Sequence, residues 1–234
     1  MHTPVETPTA VGVTLFNYPG AAINGITYGG VSLTLFATGT TVANGSTAQL
    51  WGLANPPAGA QTVTVTFANT GAFFIGGSIT VTGSDTTTVF SNTNAGGGSS
   101  TTPSISVATT VTTELVIDVV GNDQNDSETQ GGSQTLRWGP LTAPNNEAAS
   151  SSQPSGASGT TMSWTQGGGA APWSIAAGSF KVAAAAATSG GNLPMMGVGH
   201  HKRIFAMPHQ CLISPRKRLV QIRNKLIVPG RRAA

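Results

Sequence analysis

Residues 26–35 read Ile26-Thr27-Tyr28-Gly29-Gly30-Val31-Ser32-Leu33-Thr34-Leu35, two runs of alternating apolar and hydroxyl side chains joined by a pair of glycines. A period of two sends successive side chains to opposite faces of an extended chain. Glycine supplies the positive φ that a two-residue hairpin turn requires. The stretch therefore predicts an antiparallel hairpin with one face packed and the other in water.

The same pattern extends outward over residues 11–182. Val11, Val13 and Leu15 alternate, as do Gln49-Leu50-Trp51-Gly52-Leu53 and Thr62-Val63-Thr64-Val65-Thr66-Phe67. Between the last two lies Asn55-Pro56-Pro57-Ala58-Gly59, which cannot continue a ladder. Further runs fall at 73–75, 78–82, 104–107, 114–120, 135–138, 161–165 and 173–182. Short strands at this spacing predict an all-β, antiparallel β-sandwich of jelly-roll or immunoglobulin-like type, with two sheets around one core and threonines outside. The polar stretches 91–102, 122–133 and 144–160 read as loops. The predicted organisation is a sandwich over 1–186, a flexible joint at 187–190 and a basic C-terminal arm, extended or partly helical, over 191–234.

Charge separates along the same boundary. Residues 1–190 hold two cations, Arg137 and Lys181, against all eight acids, a net of −6. Residues 191–234 hold nine Lys and Arg and no acid, a net of +9. A neutral-to-acidic body with a basic tail reads as a module that displays one surface and is fastened by the other. Only 8% of residues are charged, so solubility rests on hydroxyls and amides. A single cysteine, Cys211, excludes an intrachain disulfide framework. The first residues lack a basic stretch followed by an apolar one, and no run of about eighteen apolar residues exists, so neither Sec-type export nor a membrane span is expected.

Several segments together resemble a β-sandwich domain family found on phage tail-associated and virion proteins and on bacterial surface or secreted proteins. They are residues 26–34, residues 49–59 with 62–65, Glu114-Leu115-Val116-Ile117-Asp118, and Met162-Ser163-Trp164-Thr165 with Pro172-Trp173-Ser174-Ile175-Ala176. In order and spacing they span most of residues 10–183. The resemblance implies a sandwich used for display or binding and carries over no catalytic residue.

The body has no His beyond His2 and no Cys, so a Ser–His or Cys–His nucleophile has no base. Glu114 and Glu147 are the glutamates a glycosidase reading would pair. Asp118, Asp123, Asn125, Asp126 and Glu128 place oxygen ligands around one loop, yet Glu128 and Gln134 stand where an EF-hand loop requires glycine and a bidentate glutamate. A solvated acidic loop is the simpler reading. His200, His201, His209 and Cys211 cluster without the spacing of a zinc finger. No cofactor and no metal is therefore expected. Trp51 and Trp138 are candidate carbohydrate contacts because flat aromatic faces stack on sugars, while core packing accounts for indoles inside strand runs such as Trp164 and Trp173.

The arm interleaves apolar and cationic groups. Its candidate partner-binding residues are Lys202, Arg203, Ile204, Phe205, Met207, Leu212, Ile213, Arg216, Arg218, Leu219, Ile222, Arg223, Leu226 and Arg231. Leu219, Ile222 and Leu226 recur at helical spacing after Ser214-Pro215, a plausible helix start, and 219–222 with 225–228 read equally as two short strands. Apolar groups this numerous need covering. A protein partner, such as a neighbouring copy or a capsid or tail surface, is the favoured covering, ahead of nucleic acid and of a membrane surface. The expected function is that of a non-enzymatic virion structural protein of a bacteriophage, a decoration, cement or fibre component that forms homo-oligomers and meets host-surface glycans. The alternatives are a secreted, extracellular carbohydrate-binding or adhesive module and a glycoside hydrolase on the same fold.

Overall fold

Strand alternation decides which neighbour each side chain meets, and here it operates on both sides of the inner strands. The computed structural model describes residues 2, 4, 6–17, 22–43, 45–68, 74–124, 127–143 and 146–185. In chain order the strands are β1 (Ala10–Asn17), β2 (Ile23–Tyr28), β3 (Val31–Ser32), β4 (Thr34–Thr38), β5 (Thr47–Ala54), β6 (Val63–Phe67), β7 (Phe74–Val81), β8 (Phe90–Ser100), β9 (Ser104–Val107), β10 (Leu115–Asn122), β11 (Glu128–Gln130), β12 (Thr135–Ala143), β13 (Asn146–Pro154), β14 (Thr160–Gln166) and β15 (Ala171–Phe180). Every strand pairing is antiparallel, and no helix occurs among the described residues. The expected all-β, antiparallel class is what the described residues adopt. Residues Met1–Ala185 form one compact unit; the arm, with its helix-or-strand alternatives, lies outside the described residues.

The strands form four sheets, ordered β4-β5-β1-β7, β12-β13-β10-β15-β8, β11-β14-β9 and β3-β2-β6. On β1 the odd residues Val11, Val13 and Leu15 pack with Ile26, Tyr28, Leu33 and Trp51 beneath the β3-β2-β6 sheet. The even residues Ala10 and Phe16 pack with Leu50, Phe90, Ile117, Val119, Ala176 and Phe180, between the two larger sheets. On β10 the alternation repeats: Ile117 and Val119 face that same central cluster, while Val116 and Val120 face Met162 and Trp164 of β14. Both inner sheets are thus covered on both sides, which is why all eight residues of β1 are buried. Each fully buried Leu, Ile, Val or Phe contributes about 1.5–3 kcal/mol.

The expected two sheets with one core are therefore four sheets with three apolar layers. The two halves of the unit share one connectivity. β1, β2, β4, β5, β6 and β7 give a larger sheet ordered β4-β5-β1-β7 with β2 beside β6, and β10 to β15 give β12-β13-β10-β15 with β11 beside β14. The second half adds β8 on the free edge of β15 and β9 on that of β14. Between the halves, each larger sheet supplies a glycine notch. A Cβ on Gly12 of β1 would lie 2.7 Å from Ile117 Cδ1, and one on Gly121 of β10 would lie 2.4 Å from the Phe16 ring.

The hairpin predicted from residues 26–35 is present. Tyr28 pairs with Val31, and Gly29 and Gly30 turn the chain with φ of 57° and 82°. Two polar stretches, 91–102 and 144–160, are mostly strand rather than loop, and a third, 122–133, is a loop that holds one short strand. Residues 91–102 lie largely in β8, an eleven-residue strand paired along β15. Residues 122–133 include β11, and 144–160 include β13, which sits inside the five-stranded sheet. Packing of sheets on both sides of β13 leaves room only for small side chains, so Ala148, Ala149, Ser150 and Ser151 fill it with no apolar period. Similarly, the runs at 73–75 and 78–82 join into the single strand β7, since Gly76 and Gly77 continue it. Gly77 has no Cβ because the Trp138 indole lies where one would be.

Candidate functional site

The fourteen arm residues proposed to bind a partner, and the histidines and Cys211 weighed as zinc ligands, lie outside the described residues. The four indoles lie inside, in separate places. Trp51 is 7% exposed and donates Nε1–H to Gln49 Oε1 at 2.9 Å. Trp138, half-buried, donates to Thr14 Oγ1 at 2.9 Å across the gap between the larger sheets. Thr14 in turn donates to Ser150 Oγ, so a polar thread crosses the central apolar layer. Trp164 donates to Asp118 Oδ2 at 2.6 Å and Trp173 to Ser100 Oγ at 3.1 Å. Each N–H is satisfied internally, which is how an indole enters a core.

The acids give the least expected result. Glu114, Asp118, Glu128 and Glu147 are buried, at 5% exposure or less. Asp85 bonds to Thr87 and Thr88 and pairs with Lys181 at 3.2 Å. Four of the eight carboxylates in residues 1–190 are therefore interior. Composition shows how many carboxylates a segment has, not which way its strands point them.

Asp118 faces the layer beneath β14. Its Oδ1 accepts from the backbone N–H and hydroxyl of Ser151 at 2.9 and 2.8 Å, and its Oδ2 accepts from Trp164. Burial pushes its carboxyl up to about 6, against the pull of these donors in the opposite direction. It stands within β10 and does not join Asp123 and Glu128, which flank the following loop; Asn125 and Asp126 lie outside the described residues. Among the described residues no group of three His, Cys, Asp or Glu side chains is arranged to hold a metal ion.

Glu128 Oε1 accepts from Asn122 Nδ2 at 2.9 Å and from Gln166 Nε2 at 3.3 Å. Glu147 Oε1 accepts from the Glu128 backbone N–H at 2.8 Å, which ties β11 to β13. Glu114 accepts from Thr110 and, at 2.7 Å, from Ser179. Burial pushes Glu114 up, but these hydrogen bonds outweigh it and hold the carboxyl below its usual range. Glu147 pairs opposite Asn122 at one end of β10, and Glu114 precedes Leu115 at the other. A strand of that length separates them by about 25 Å, whereas paired glycosidase carboxyls stand within about 10 Å. The fold does not bring them together.

The outer faces of the two smaller sheets carry neutral hydroxyl rows. On β14 the residues Thr161 and Thr165 point outward with Ser163 between them, opposite Ser106, Thr129 and Ser104 of the flanking strands. Ser106 and Thr161 share a hydrogen bond of 2.8 Å. On the opposite outer sheet Thr27 pairs with Ser32 and Thr64, and Thr64 and Thr66 are exposed. The i, i+2 spacing of Thr and Ser opposite buried Met162 and Trp164 is the signal by which sequence announces such a face.

One groove, of about 360 Å³, lies beside β7 and is lined by His2, Val63, Phe74, Gly76, Gly77 and Ser78 among others. His2 closes part of it. His2 exchanges both backbone hydrogen bonds with Gln61, and its ring nitrogens meet Ser78 Oγ at 2.9 Å and Thr80 Oγ1 at 3.2 Å. Burial, and then the nearby N-terminal amine, pull the imidazole below its ordinary value. No sequence signal marks His2, because Ser78 and Thr80 lie more than seventy residues away.

No family model, no curated protein and no solved structure matches this chain.

Proposed function

We propose that the chain is a structural protein of a bacteriophage virion, a capsid decoration, cement or tail-fibre component in which a rigid β body is displayed and the arm 191–234 fastens it. The observation that carries this reading is the separation of charge from surface. The body turns four carboxylates inward and presents hydroxyl faces, while nine cations collect in the arm. A neutral body suits display, and a cationic, apolar arm suits burial against a partner, where repeated sites on a particle multiply modest contacts. In this reading the body is of the jelly-roll or immunoglobulin-like sandwich type, as the resemblance implies. Protein mass spectrometry of phage particles banded from lysates of the source culture tests it. The expected result is this chain at a fixed ratio to other particle proteins. Recovery only in the particle-free supernatant would refute it and favour a secreted module.

The exposed Ser and Thr rows favour a second reading, a secreted carbohydrate-binding module. Binding of the full chain to a glycan array supports that reading, and absence of binding at high protein concentration removes it.

A further inference from the structure

In the larger sheet of each half the last strand of that half lies outside the first, β7 beside β1 and β15 beside β10. The edge of β15 is occupied, since β8 pairs along it from Ala171↔Ser100 to Phe180↔Phe90. The matching edge of β7 carries no strand among the described residues. An unpaired edge presents a row of backbone N–H and C=O groups, and natural edges are usually guarded by charge, proline, bulges or brevity. The other outer edges of the larger sheets carry such guards. β12 contains Arg137, Pro140 and two register shifts. β4 is five residues long with a shift between Leu35 and Ala37. On β8, Gly96 O already accepts from Thr40 N–H.

β7 has none of these. Its sequence Phe74-Ile75-Gly76-Gly77-Ser78-Ile79-Thr80-Val81 is uncharged and free of proline, and its register with β1 is unbroken over eight residues. An antiparallel strand is also complementary to itself, because a two-fold axis through its centre makes each copy template and addition at once.

We propose that the free edge of β7 is a docking surface for a second copy of this chain, β7 against β7, which joins two four-stranded sheets into one of eight strands. The inference stands apart from the virion reading, since it concerns only the described body. Any register that keeps most of the strand paired sets Phe74 near the Val81–Thr82 end of the other copy.

The test uses the full chain. Light scattering over about two decades of concentration is expected to give twice the 23.5 kDa chain mass, falling to one on dilution. Hydrogen exchange should show the β7 amides that do not bond to β1 protected in the dimer and released on dilution. The double variant Phe74→Lys with Thr82→Lys changes two exposed positions and sets like charges across the seam. It should weaken the dimer at least about tenfold, while Phe74→Tyr with Thr82→Ser retains it. A monomer at every concentration overturns the proposal, as does a dimer that survives the lysines or one formed through the arm. Should the lysine variant fail to fold, β7 exchange in the unmodified chain decides: protection that ignores dilution overturns the proposal.

Discussion

Asp118→Asn tests the account of the interior most sharply. The carboxyl is buried without a cation and is raised to about 6 from an ordinary 3.8. At about 1.4 kcal/mol per pH unit, holding this group ionised costs the fold about 3 kcal/mol above pH 6. The sign follows from proton counting. Between about pH 4 and 6 the folded chain keeps a proton that the unfolded chain has released, so stability falls as pH rises through that window and is level beyond it. Wild type should accordingly gain up to about 3 kcal/mol from this group on acidification from pH 7 to 4. The amide does not titrate, so the variant lacks that gain. It also turns a donor toward Trp164 or Ser151, at a cost of about 1–3 kcal/mol, so the pH 7 difference alone is a poor discriminator. The measurement is the difference in urea midpoint between the two proteins from pH 4 to 8. Glu114, with a lowered carboxyl, titrates in both and cancels. A wild type minus variant difference that stays constant over this range would refute the argument.

Two further outcomes follow from the packing. Gly121→Ala drives a methyl into the Phe16 ring and should cost about 1–3 kcal/mol, read as a lower urea midpoint with unchanged far-ultraviolet dichroism. The His2 imidazole prefers its neutral form when folded, so its pairing with Gln61 loosens as pH falls below the ordinary imidazole range; exchange at the Gln61 amide, corrected for its intrinsic rate, should quicken there, and His2→Ala should show the fast rate at every pH.

The hairpin at 26–35 was legible because glycine conformation and strand alternation are local. So were β1, β5 and β10, whose apolar residues announce a strand whatever lies around them. β13 was not legible, because Ala148 to Ser152 are selected by what presses on them from both sides, a relation between distant segments. The same limit concealed the duplicated connectivity, which resides in strand order. Asp118 appeared beside the loop acids in sequence, yet one residue of strand parity sends it inward to Trp164. For the candidate site, the neutral rows on β14 could be read from the Thr-x-Ser-x-Thr spacing, whereas the bonding of His2 to Ser78 and Thr80 joins positions some seventy-six residues apart.

The notched joint between the halves also governs how the chain must be made. Phe16 of β1 finds its cover on Gly121 of β10, and Leu50 of β5 on Gly178 of β15, so the first half leaves the ribosome with a greasy flank that only these later strands can close. Folding is then slow and late, as long-range pairings require, and until β15 is synthesised the nascent protein is a natural client for chaperones.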